Sequence, residues 1–246
     1  MRPETRADGA DQGAPSPRNL PHERPPAQPK VDERSAAIPQ SRGNPPRPSR
    51  IDCAWSPAPD PGRYRAVVTV LKTERLTLRE LTLDDVDGLL EIFADPEAMW
   101  AYPSTKDRDQ TEGWIRWAIG SYRANGWGLW AVIRSEDGRF LGDCGPMPQP
   151  VEGEQVPELG YHIVREEWGR GYATEAALAC RDWFFANTEY DRLVSIVRPP
   201  NVASRRVAER VHARMRLFVW EKTGTQECLY ETLRSDLPGR APWFSW

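Results

Sequence analysis

The chain reads as an α+β fold: a single mixed, mostly antiparallel sheet flanked by helices. Three observations predict it. Short segments that alternate apolar and polar residues are interleaved with longer stretches whose apolar residues recur at helical spacing. An Asp137-Gly138 dipeptide joins two of the strand-like segments as a hairpin signal. Near the C-terminus, a strand, helix, strand unit implies one parallel pairing inside an otherwise antiparallel sheet.

These signals begin at Leu71, and the composition divides close by. Of the 24 prolines among 246 residues, 14 lie in residues 1–66, which carry 11 Lys+Arg, 8 Asp+Glu and one tryptophan, Trp55. Such a segment cannot bury enough apolar surface to offset the entropy of ordering, so disorder is expected there. Its role stays open between an inert tail and a basic, Pro-rich binding arm, with Pro25-Pro26 and Pro45-Pro46 favouring extended backbone. A related expectation is that the native protein starts near Val67 or Val68. The domain organisation expected is thus residues 1–66 disordered, 67–236 folded and 237–246 a C-terminal tail.

Residues 67–246 hold ten of the eleven tryptophans, with 22 basic and 28 acidic residues. That length can bury one core. The negative balance argues against a nucleic-acid partner. No run approaches the roughly 18 apolar residues of a membrane span, so no membrane partner is expected. Cys53, Cys144, Cys180 and Cys228 form no CxxC pair and His22, His162 and His212 no HxxxH spacing, so no metal site is expected. The N-terminus lacks the apolar stretch of a signal peptide, and free thiols in a reducing cytoplasm are the expectation.

The elements follow in order. Arg75 to Leu81 alternates at period two and predicts a strand. Thr82, Asp84 and Asp85 open a helix with Leu83, Val86, Leu89, Leu90 and Phe93 at helical spacing, ending before Pro96. A second helix is expected from Asp107 to Ala124, closed by Asn125-Gly126. Strands over 128–133 and 140–145 flank the hairpin signal, and after a Pro- and Glu-containing loop a third runs from Val156 to Val164, neighbours in a meander. Then come a helix over 174–187, a strand over 192–197, a helix over 203–212, and strands over 216–221 and 228–233. Ala173, Ala176, Ala177, Cys180, Trp183 and Phe184 form the stripe that packs the first of these helices on the sheet.

The chemistry is expected where the strand through Glu158 and His162 meets Trp168-Gly169-Arg170-Gly171-Tyr172-Ala173-Thr174. A Gly-rich turn opening directly into a helix presents unpaired backbone N–H groups and a partial positive charge, a cradle for a nucleotide-like pyrophosphate. Gly169 and Gly171 allow close approach, Ala173 keeps the helix start open, and Arg170 adds a cation. A P-loop needs a Gly-Lys pair that this turn lacks. A dinucleotide fingerprint fails at Thr174 and at Asp191, which precedes its strand instead of ending it.

The string resembles motif A of the GNAT acetyltransferases, Gln/Arg-x-x-Gly-x-Gly/Ala, with Trp168 in the first position, Gly171 and Ala173. Thr73 to Arg79, Gly128 to Val132 and Asn201 to Ser204 extend the likeness to the branch resembling the RimJ/RimL ribosomal-protein N-terminal acetyltransferases, over about residues 71–235. The resemblance implies acetyl-CoA as co-substrate, with the backbone amides of Gly169, Arg170, Gly171, Tyr172, Ala173 and Thr174 on its pyrophosphate. It implies pairing of the Ile163 and Val164 backbone with the pantetheine arm, and Asn201 and Ser204 near the thiol. An amine acceptor, a protein N-terminal α-amine or a small molecule, would attack the thioester directly. Glu158 matches the family's acidic strand residue and is the expected catalytic base, against a reading as an ordinary strand carboxylate.

The family's general acid, a Tyr in the helix after the 192–197 strand, has no counterpart in residues 201–212. Either Ser204 contacts the thiolate or no side-chain acid is required. Read without the family, Asn201 and Ser204 are helix caps, and His162 is a packed or solvent-facing ring, against a role in binding the acceptor. Trp100, Trp114, Trp117, Trp127 and Trp130 are expected mainly in the core, with one or two lining an acceptor pocket. Acceptor choice is expected from loops at 100–109 and 147–155. The resemblance leaves the oligomeric state, monomer or homodimer, open, and the rival function is a catalytically silent acyl-CoA-binding module of the same fold.

Overall fold

A computed structural model describes residues 68–237. The expected disordered segment 1–66 and all but the first residue of the expected tail lie outside the described residues. Eight strands form one sheet in the order β1-β2-β3-β4-β5-β6-β8-β7. They are β1 (Thr69–Lys72), β2 (Leu76–Glu80), β3 (Trp130–Arg134), β4 (Phe140–Val151), β5 (Glu154–Ile163), β6 (Arg192–Val197), β7 (Arg214–Trp220) and β8 (Thr225–Leu233). Every pairing is antiparallel except β5 with β6, as the strand, helix, strand unit implied.

The helices are α1 (Val86–Phe93), α2 (Arg108–Asn125), α3 (Tyr172–Asn187) and α4 (Val202–Val211). Sequence chemistry sets their ends. Asp107 caps α2 by accepting from Gln110 N at 2.8 Å while Gln110 Oε1 accepts from Asp107 N at 3.0 Å. Gly126 ends it with φ 77. On α3, Ala176, Ala177, Cys180 and Phe184 are fully buried against the sheet, the stripe the spacing predicts. Trp183 crosses Trp130 edge to face with centroids 4.8 Å apart. Among the described residues, no helix is long and apolar enough to cross a membrane.

Two strand expectations need correction. The alternation starting at Arg75 hid a separate edge strand, β1, which turns at Thr73 and folds back on β2. The expected loop at 147–155 is the end of a long hairpin instead: β4 and β5 pair from Gly142–Ile163 to Val151–Glu154. Its two-residue turn is Glu152 (φ 54) and Gly153 (φ 81), both left-handed as this kind of turn requires.

The ladder tolerates its prolines because of their phase. Val164 N–H donates to Leu141 O at 2.8 Å, so even residues of β5 exchange hydrogen bonds with odd residues of β4. Pro146, Pro148, Pro150 and Pro157 all occupy the other positions and point their nitrogens away from the ladder. Close approach also fixes one glycine: a Cβ at Gly142, φ 149, would lie 1.9 Å from His162 O.

Candidate active site

The site begins where β5 and β6 part. The two strands share a single bridge, Glu158 with Val194, and beyond it β5 runs on to Ile163 paired with β4 but without a strand on its other side. Ser195 Oγ donates to Leu159 O at 2.7 Å across the junction. Since that hydroxyl proton is committed, His212 Nε2–H donates to Ser195 Oγ (3.0 Å), and Nδ1 accepts from Thr232 Oγ1 (3.1 Å). Burial, with the Arg181 cation, pushes the His212 ring down to about 3, so it stays neutral.

Alternation along β5 decides which backbone groups face the gap. Odd residues, Tyr161 and Ile163, face it, whereas Val164 N–H is on Leu141 O and Val164 O accepts from Glu167 N (3.0 Å). Val164 therefore has no free main-chain group for a ligand, contrary to the expectation for it. The Trp168 indole, at the first motif position, donates to Ile163 O at 2.7 Å and ties the turn to the strand end.

The turn has the expected cradle geometry. Gly169 (φ 76) and Gly171 (φ 85) are left-handed, and Gly171 caps α3 without a side-chain hydrogen bond. The first N–H groups of the helix, on Tyr172, Ala173 and Thr174, thus have no side-chain cap to satisfy them, and a Cβ at Gly169 would meet nothing within 4 Å. An anion fits this opening. Arg75 braces it, with Nη1 on Arg170 O at 3.1 Å, Nε on Glu175 Oε2 at 2.6 Å and the guanidinium 4.6 Å from the Tyr172 ring centroid. Arg170 pairs with the buried Glu167 at 3.2 Å and is itself exposed.

A cavity of about 670 Å³ opens on the same junction. Glu158, Gly160 and His162 line it together, as the period-two spacing placed them, and so do Asn201, Ser204, Trp114 and Trp117. Trp127 and Trp130 are core, and Trp100 is 47% exposed. Burial raises the Glu158 carboxyl to about 7, against opposing contributions from Ile196 N–H (3.3 Å), Gln149, Lys222 and His162. At neutral pH it is poised between acid and base.

His162 is a packed ring, not a solvent-facing one. Its Nδ1 lies 2.7 Å from Oδ1 of the fully buried Asp143, whose Oδ2 accepts from Trp114 Nε1 at 2.9 Å. A carboxylate only accepts, so Nδ1 carries the proton, and in the neutral ring Nε2 takes the hydrogen of Tyr102 OH at 2.8 Å. Phe93 meets the ring edge to face at 5.2 Å. Tyr102 is 42% exposed, but desolvation of its hydroxyl end, with the Glu158 and Asp143 carboxylates, raises it and keeps it a hydroxyl.

Of the two residues, Asn201 is the helix cap. Asn201 Oδ1 caps α4 by accepting from Ser204 N at 3.1 Å, and both side chains line the cavity. Tyr161, on β5, sends its hydroxyl to Ser204 O at 2.9 Å. Asp143, Tyr102, Gln149, Lys222 and Glu227 also belong to the cavity or its immediate support, and sequence reasoning missed them. Period two on the Phe140 strand marks Asp143 as facing opposite to Cys144, but nothing in the sequence brings Tyr102 to His162.

Residues 75–214 match the family model described as acetyltransferase (GNAT) domain. The uncharacterized protein YkkB of Bacillus subtilis is 38% identical over 161 residues, which are 63% of this chain and 91% of YkkB. An acetyltransferase of Agrobacterium tumefaciens superposes with TM-score 0.58 at 31% identity, over 70% of this chain and 98% of its own. RimJ of Mycobacterium smegmatis, solved with a CoA-disulfide, has TM-score 0.54 at 21% identity, over 66% of this chain and 84% of its own. That last likeness is one of fold alone.

Proposed function

The chain belongs to the GNAT acetyltransferase family, and on that premise we propose that it is an N-acetyltransferase of the RimJ/RimL-like branch, moving an acetyl group from acetyl-CoA to a primary amine. The observation that carries the reading is Glu158, a carboxylate held at about 7 in a cavity at the β5–β6 junction. An ordinary carboxylate is too weak a base to take a proton from an ammonium ion at neutral pH; one tuned to about 7 is matched to the task.

Acetyl-CoA supplies the activated acyl group as a thioester. The uncapped N–H groups of Tyr172, Ala173 and Thr174, with the Gly169 to Gly171 turn, hold its pyrophosphate, and Arg170 lies beside them. The N–H of Ile163, facing the gap, pairs with the pantetheine arm, and Asn201 and Ser204 lie toward the thiol. Glu158 takes a proton from the ammonium, directly or through water, and the freed nitrogen attacks the thioester carbonyl; the C–S bond breaks as the C–N bond is completed, CoA leaves as the thiolate, and the second proton lost by the nitrogen balances its protonation to the thiol. Asp143 fixes the His162 tautomer and Tyr102 closes the wall, so both position the acceptor. Residues 67–236 form the catalytic domain, working in the cytoplasm with the thiols of Cys144, Cys180 and Cys228 free and buried.

The test is acetyl-CoA-dependent release of CoA across a panel of primary amines, with the mass of one acetyl group appearing on the acceptor. Tight binding of acetyl-CoA with no release on any acceptor would overturn the reading in favour of a silent acyl-CoA-binding module.

A further inference from the structure

β5 and β6 stop pairing sooner than their lengths allow. Past the Glu158–Val194 bridge, β6 runs on to Val197 and β5 to Ile163. Even residues of β5 are spent on β4, so its odd residues face β6, and a parallel ladder that went one step further would join Ile196 N–H to Leu159 O. Both groups are diverted instead. Leu159 O accepts from Ser195 Oγ at 2.7 Å, and Ile196 N–H donates to Glu158 Oε1 at 3.3 Å. Two side chains stand where one backbone hydrogen bond would close the junction.

The Ser195 hydroxyl is firmly held. It is 2% exposed, and both its proton and its oxygen have partners: Leu159 O in one direction and His212 Nε2–H, at 3.0 Å, in the other. Thr232, also 2% exposed, fixes the ring from behind through Nδ1 at 3.1 Å. A buried hydroxyl is costly unless its bonds are made, and here β8, the end of α4 and β6 together direct it onto a β5 carbonyl. An apolar residue at 195 would leave Leu159 O without its donor, and the ladder's own next donor, Ile196 N–H, would replace it. Beyond this point three main-chain groups of β5 face the gap: Tyr161 N–H, Tyr161 O and Ile163 N–H, since Ile163 O already accepts from the Trp168 indole.

Resting on the acetyl-transfer reading, we propose that Ser195 is a positioning residue: it wedges β5 from β6 and so keeps open the slot that the pantetheine arm enters. Glu158 completes the wedge by occupying Ile196 N–H. The base and the slot are thus built on the same pair of diverted backbone groups.

The experiment uses Ser195→Ala in the full chain and two probes, CoA and 3′-phospho-ADP, which is CoA without the pantetheine arm. Calorimetry should show CoA binding weakened about tenfold or more and 3′-phospho-ADP binding within about twofold of wild type. In nuclear magnetic resonance spectra of the ligand-free protein, a scalar coupling across a hydrogen bond, from the Ile196 nitrogen to the Leu159 carbonyl carbon, should appear in the variant and not in the wild type. CoA affinity equal to wild type, equal weakening of both probes as a merely structural Ser195 would give, or no such coupling in the variant overturns the wedge and leaves acetyl transfer standing. Selective loss of CoA binding with the coupling present, in a protein whose wild type turns over no amine, keeps the wedge and overturns the acetyl-transfer reading.

Discussion

Replacing Glu158 by Gln keeps the shape of the side chain and removes its titration. Burial carries this carboxyl from 4.5 to about 7. At roughly 1.4 kcal/mol per pH unit, ionising it costs the folded protein about 3 kcal/mol once the pH exceeds 7. Between pH 4.5 and 7 the folded chain keeps a proton that the unfolded chain has released, so wild-type stability declines with rising pH across that window and levels off above it. Glu158→Gln escapes this decline. For a domain of this size 1 kcal/mol moves the melting temperature by about 2–4 °C, so the variant should melt on the order of 5–10 °C above wild type at pH 8 and close to it at pH 4. Turnover should move the other way, falling about 100-fold or more, with acetyl-CoA affinity nearly unchanged. Wild-type kcat/KM should rise through pH 7 as the base is freed. Thermal melts at the two pH values and a CoA-release assay check all of this. A melting difference equal at pH 4 and pH 8, or turnover within threefold of wild type, would refute the reasoning.

Gly171→Val places a branched side chain at φ 85, costing about 1–2 kcal/mol and narrowing the turn; the KM for acetyl-CoA should rise about tenfold or more with little change in saturated turnover. His212 is held neutral with its ring near 3, against 6.5 ordinarily, so unfolded chains bind the extra proton and stability is lost as pH falls below 6.5 toward 3; an acid titration followed by tryptophan fluorescence should show this loss blunted in His212→Gln. Gly142→Ala, with its Cβ at 1.9 Å from His162 O, should cut the yield of folded protein or lower the melting temperature by several degrees. Removal of residues 1–66 should leave the kinetics of amine acetylation unchanged, which steady-state assays of both chains will show.

Local chemistry made much of the fold legible. Asp107 with Gln110, Gly126, and Asp137-Gly138 each satisfy backbone requirements within a few residues, and their elements sit where the spacing put them. Pro146, Pro148 and Pro150 misled for a physical reason. Proline in a strand argues against pairing only when its nitrogen faces the partner, and that phase is a property of the ladder, invisible in one strand. The Gly-rich turn was legible because strand, glycines and helix start are contiguous. The cavity was not, because its members meet across long separations: Tyr102 reaches His162 from 60 residues away, and Glu227 comes from the far side of the junction. Val164 shows the same limit on a smaller scale, since its main-chain groups are claimed by Leu141 and Glu167.

The lone bridge between β5 and β6 also divides the sheet mechanically. Strands β1 to β5 form one continuous antiparallel run and β6, β8 and β7 another, joined within the sheet by that bridge, the Ser195 to Leu159 bond and the Ile196 N–H on Glu158. Cooperative units of a protein open where the fewest hydrogen bonds cross between them. Amide protons of β6 and β8 should therefore exchange with solvent as a group, through openings that leave β3 and β4 protected. A molecule lodged in the junction would slow that exchange on both sides at once, coupling two units that the backbone alone leaves loosely joined.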